Sequence, residues 1–104
     1  MILYRIMEEI ELHIDPLADE EQVAHLIEAA AARYGLQVHL QTTLRSYPGS
    51  QHWHLRKQGE SGTLEITCWP KGKRAWIGVH TNRQGGWITE VLPGIKMWLE
   101  ERLL

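Results

Sequence analysis

Residues 64–79 read LEITCWPKGKRAWIGV. Leu64, Ile66 and Cys68 alternate with Glu65, Thr67 and Trp69. Beyond the Lys71-Gly72 pair, Ala75, Ile77 and Val79 alternate with Arg74, Trp76 and Gly78. A period of two marks a strand with one dry and one wet face. Two such runs around a short glycine-bearing turn predict a tight β-hairpin. Slipping the register by one residue would send every dry side chain to the wet face, so dry pairs with dry. That places Trp69 opposite Arg74 and Thr67 opposite Trp76.

The pattern extends upstream. In QHWHLR (residues 51–56), Trp53 and Leu55 oppose His52, His54 and Arg56, which gives a third strand. Across the Gln58–Gly62 loop, His54 should face Glu65 or Thr67. Before it, Leu36, Val38, Leu40 and Leu44 point one way, and Gln37, His39, Gln41 and Thr43 the other. Tyr47-Pro48-Gly49-Ser50 is the connecting turn, which should bring His54 near Gln41 or Thr43. Short connections between these four strands imply an antiparallel meander. At the start of the chain, Ile10, Leu12 and Ile14 alternate with Glu11 and His13. Met1–Met7 reads as an earlier part of that strand, and Asp15-Pro16 ends it.

Two helices complete the plan. Asp19 followed by Gln22 forms a capping signature, and Val23, Leu26, Ile27, Ala30 and Tyr34 recur at helical spacing before Gly35. The first helix is therefore predicted over Asp19–Tyr34. After a loop at Asn82–Gly86, a C-terminal helix presents Val91, Leu92, Ile95, Trp98, Leu99 and Leu103. It either kinks at Pro93-Gly94 or starts at Pro93. The order β-α-β-β-β-β-α predicts a single α+β domain over residues 1–104. Its form is a two-layer sandwich, with about five antiparallel strands and both helices on one sheet face. Trp98 and Leu99 are expected to rest on Leu40, Leu55, Ile66 and Ile77.

Composition narrows the function classes. The 104 residues carry a formal net charge of −2, so no global basic field draws nucleic acid, and nucleic acid is not an expected partner. One cysteine, Cys68, excludes an internal disulfide and a multi-cysteine zinc site, and suits a cytoplasmic setting. No stretch reads as a signal peptide or membrane span, so no membrane association is expected. Five tryptophans and no phenylalanine give the chain large rings with N–H groups that want partners.

The wet face gathers the chemistry: His39, His52, His54, Arg56, Glu65, Thr67, Trp69 and Trp76, with His80 at its margin. His52 and His54 are two apart on one strand, roughly 6–7 Å at the backbone, which permits shared coordination. Glu65 or His80 would supply a third metal ligand. The same residues also read as solvated histidines beside a carboxylate, and no cofactor is implied by a motif. The serines lie in loops without a nucleophile elbow, and Cys68 belongs to the dry face.

Two indoles on a wet face point to an interface. The preferred reading is a non-enzymatic domain that binds a partner through the Trp/His face, most simply a second copy of itself in a C2 homodimer. The alternative is a small-molecule- or metal-binding enzyme using His52, His54 and Glu65.

The size, the antiparallel sheet with flanking helices and the run GTLEIT…WIGV…GGW within residues 62–87 loosely resemble frataxin-like domains. In that family a long acidic helix comes first and bears the iron-binding carboxylates. Here a strand precedes the helix and its acids occupy one turn, so no functional residue carries over.

Overall fold

The computed structural model of the chain describes residues 7–15, 17–80 and 85–104. Its strands are β1 (Met7–Glu11), β2 (Gln37–Thr42), β3 (Gln51–Arg56), β4 (Leu64–Trp69) and β5 (Arg74–His80). Its helices are α1 (Glu20–Arg33) and α2 (Gly86–Leu103). The order β-α-β-β-β-β-α is the one the sequence predicts. All pairings are antiparallel, and the strands lie in the order β1-β5-β4-β3-β2.

The central register follows the dry-on-dry rule. Thr67 pairs with Trp76, Trp69 with Arg74 and His54 with Glu65. The β4–β5 connection is wider than a two-residue hairpin. A 3₁₀ turn over Pro70–Gly72 is followed by Lys73 in the left-handed region at φ 53°. Gly72 lies flat against the Trp69 ring, and a side-chain carbon there would collide with it.

One face of the sheet carries the core. Trp53, Leu55, Leu64, Ile66, Ile77 and Val79 pack beneath Val23, Ile27 and Ala30 of α1 and Ile88, Ile95 and Leu99 of α2. Fully burying one such aliphatic side chain stabilises the fold by about 1.5–3 kcal/mol. Asp19 caps α1 by accepting from the Gln22 backbone N–H at 3.2 Å, and Gly35 turns the chain at φ 68°. Among the described residues, no helix is long and apolar enough to cross a membrane.

Several expectations change. β1 spans Met7–Glu11, so Met7 belongs to the strand as predicted, while Leu12 and Ile14 fall beyond its end; residues 1–6, which the predicted earlier part also includes, lie outside the described residues. It lies beside β5 at the sheet edge, with Ile10 opposite Ile77. The predicted break at Pro16 and most of the Asn82–Gly86 loop (residues 82–84) also lie outside the described residues. Of the two predicted forms of α2, the one with Pro93 inside the helix holds and a start at Pro93 does not; the helix begins at Gly86, the last residue of the predicted loop. Trp98 is only half-buried beneath Arg102, whose guanidinium carbon lies 3.9 Å from the ring centroid.

The largest difference is in β2. Val38 pairs with Leu55, but the register then shifts, and Leu40 pairs with His54. His39 is the extra residue of a bulge, which reverses the facing of everything after it. Leu40 therefore lies on the histidine face, 42% exposed, and does not underlie Trp98. It replaces Gln41 and Thr43 as the neighbour of His54. β2 ends at Thr42, so Leu44 belongs to the connection that follows.

Candidate metal centre

That connection crosses the sheet face opposite the helices. It is anchored locally, with the Leu44 backbone N–H donating to Ser50 Oγ at 3.1 Å and the Trp69 indole donating to the Pro48 carbonyl at 3.1 Å. Tyr47 stands edge-on to both Trp69 and Trp76, with ring centroids 5.0 Å apart in each pair. The face predicted to be open is thus partly roofed. Trp76 is 3% exposed and Trp69 half-buried, so the exposed pair of indoles expected from the alternation is not there. The Arg74 guanidinium stacks 4.5 Å from the Trp76 ring centroid and pairs with Glu11.

Beside the roof lies a cavity of about 290 Å³. Its walls include Glu9, Tyr47, His52, Glu65 and Trp76. The cross-strand row Glu65–Gly78–Glu9 explains the hollow, because Gly78 raises no side chain between the two carboxylates. A glycine on the facing side of a strand is a sequence signal for such space. Glu9, Leu44 and Tyr47 had no signal of this kind, since only the path of a loop and an edge strand brings them here.

At the wall formed by His52 and Glu65, these two and the neighbouring His54 bring three donor atoms together. His52 Nε2 lies 3.0 Å from His54 Nε2 and 3.1 Å from Glu65 Oε1; His54 Nε2 lies 3.6 Å from the same oxygen. The spacing of two along β3 sends both imidazoles to one face, and register brings Glu65 beside His54. An ion bonded tetrahedrally at about 2.0–2.2 Å separates its donors by about 3.3–3.6 Å. One edge of the observed triangle has that length and the other two fall short by about 0.2–0.3 Å, so a small opening of the triangle would seat the ion.

The surroundings orient these donors. His52 Nδ1 lies 2.7 Å from Thr67 Oγ1. With Nε2 committed to an ion, Nδ1 carries the proton and donates to the hydroxyl, the arrangement that fixes a ligating histidine. Glu65 Oε2 lies 2.8 Å from His80 Nε2. His80 is therefore a partner of the carboxylate and not a third ligand.

Electrostatics favours the ligating forms. Burial pushes the Glu65 carboxyl up, but the His52 hydrogen bond and the charges of His54, His80 and His52 outweigh it and hold the group below its ordinary value. Burial pushes the His54 imidazole down. Glu65 opposes this, while His52, Arg56 and His39 add to it, and the net shift is downward. Metal ions bind neutral imidazole and ionised carboxylate, so neither group must lose a proton to bind at neutral pH.

The remaining sequence-predicted site residues stand apart. His39 is exposed in the bulge, and Arg56 is exposed with its Nε donating to Thr63 Oγ1 at 3.3 Å. Comparison with protein-family models, curated proteins and solved structures finds no match.

Proposed function

We propose that this protein binds a divalent first-row transition ion through His52 Nε2, His54 Nε2 and Glu65 Oε1, and admits a small ligand to it from the adjoining cavity. The observation that carries the reading is the donor triangle with edges of 3.0, 3.1 and 3.6 Å. Two imidazoles and one carboxylate are a common set for zinc and for ferrous iron with an open position. The buried Thr67 and the half-buried His80 beside the donors support it, because they hold His52 and Glu65 in orientation. A reducing compartment such as the cytoplasm suits the free thiol of Cys68, which burial pushes up in pKa.

Calorimetric titration of chelator-treated protein with Zn²⁺ is the test. The expected result is one ion per chain, with His54→Ala binding at least tenfold more weakly. An isotherm without heat or saturation in the wild type would refute the proposal.

A second reading, pairing with another copy of the chain, is favoured by the β2 edge. All six of its residues are exposed, Val38 by 37% and Leu40 by 42%, and among the described residues no strand faces its outer backbone groups. Unguarded edges of this kind invite a further strand. Light scattering should then report a dimer that Val38→Lys dissociates. A wild-type monomer at working concentration rejects this reading.

A further inference from the structure

Glu65 has two oxygens, and only one faces the histidine pair. Oε1 lies 3.1 Å from His52 Nε2, while Oε2 lies 2.8 Å from His80 Nε2. The Glu65 side chain is 8% exposed, which strengthens its hydrogen bonds relative to those of a solvated carboxylate. His80 ends β5 and pairs across to Met7 of β1, and its Nδ1 is buried with no hydrogen-bond partner among the described residues. Its Nε2 is directed at Glu65.

A carboxylate with both oxygens free can chelate an ion through the pair, which raises its coordination number. One whose second oxygen accepts a hydrogen bond offers a single donor. We propose that His80 is a positioning residue that restricts Glu65 to one-oxygen coordination. The bound ion then keeps three protein donors, and the site favours four-coordinate Zn²⁺ and Co²⁺ over ions that seek six or more oxygens. The inference rests on the metal reading above. The triangle supports it independently of His80, because its three donors converge within 3.6 Å of one another and include none of the His80 atoms. A chelating Glu65 would bring Oε2 toward the ion and break the 2.8 Å contact. Nitrogen donors already favour zinc over manganese. The contribution of His80 is therefore read as a change between variants and not as the preference itself.

Cobalt substitution tests it, since four-coordinate Co²⁺ absorbs visible light far more strongly than five- or six-coordinate Co²⁺. The wild type should show the intense four-coordinate spectrum. His80→Gln, which keeps an N–H donor for Oε2, should retain it. His80→Leu should give the weak spectrum of higher coordination. It should also bind Zn²⁺ about 10–100-fold more weakly and discriminate less between Zn²⁺ and Mn²⁺. A wild-type spectrum of the six-coordinate kind overturns the inference without any variant, and so does a His80→Leu spectrum indistinguishable from wild type. A wild type that binds neither Zn²⁺ nor Co²⁺ rejects the metal reading itself.

Discussion

Tyr47 meets Trp76 edge-on, its ring plane inclined 64° to the indole and its centroid 5.0 Å away. Tyr47 comes from a loop and Trp76 from the middle of the sheet, so this contact, with the Trp69 contacts beside it, closes the loop over the histidine face. Tyr47→Ala removes two edge-on aromatic pairs, each contributing about 0.5–1.5 kcal/mol. Urea denaturation should register a loss of about 1–3 kcal/mol. Acrylamide should quench the variant's tryptophan emission more strongly than the wild type's. Unchanged quenching would mean that the roof stays down without Tyr47.

Trp53 is the second test, and it concerns the opposite face. The ring is fully buried opposite Ile66, and its Nε1 has no hydrogen-bond partner among the described residues. Truncation to alanine should cost about 3–5 kcal/mol, against a total of about 5–15 kcal/mol for a domain of this size. Trp53→Phe loses volume but also removes an unsatisfied buried donor, a state that costs about 1–3 kcal/mol. It should therefore lie much nearer wild type than the alanine variant in urea midpoint. Trp98→Ala should cost less than Trp53→Ala, because Trp98 is half-buried.

Acidification should destabilise the metal-free protein, and the sign follows from two depressed groups. His54 titrates below the ordinary 6.5 in the folded state. The unfolded chain therefore takes up that proton first, and stability falls as pH drops from 6.5 toward the folded value. Glu65 titrates below the ordinary 4.5, so its contribution is present above 4.5 and lost as pH falls through its folded value. Urea midpoints in chelator should decline from pH 7 into acid, and His54→Gln should flatten the portion just below 6.5. A midpoint that rises on acidification contradicts both assignments.

How much of this was legible depends on whether partners were adjacent strands. The pairs Thr67–Trp76 and Trp69–Arg74 follow from one hairpin, and His54–Glu65 from the next, because alternation and a nearby turn fix both. The histidines and Glu65 could therefore be placed on one face from letters alone. The roof could not. Tyr47-Pro48-Gly49-Ser50 reads as a turn, and nothing local says that its tyrosine folds back over Trp76. Glu9 was equally hidden, because β1 joins the sheet beside β5, far away in sequence. The role of His80 depends on which oxygen of Glu65 it meets, a matter of rotamers that alternation does not encode.

Leu40 is the instructive failure. Val38 and Leu40 are two apart and both apolar, yet the bulge at His39 sends them to opposite faces. The residue pairs on either side of it, Val38–Leu55 and Gln41–Trp53, are each regular. The strand thus carries one residue of slack. Losing a residue from the middle of β4, paired on both sides, would invert Thr67, Cys68 and Trp69 and dismantle the hairpin. Losing His39 should leave every flanking pair as it is and merely straighten the ladder. A chain shortened by that codon should fold cooperatively with a urea midpoint near wild type, while one lacking Ile66 should not fold. Length variation in this domain would then be tolerated at residue 39, inside a strand, where insertions and deletions are ordinarily lethal.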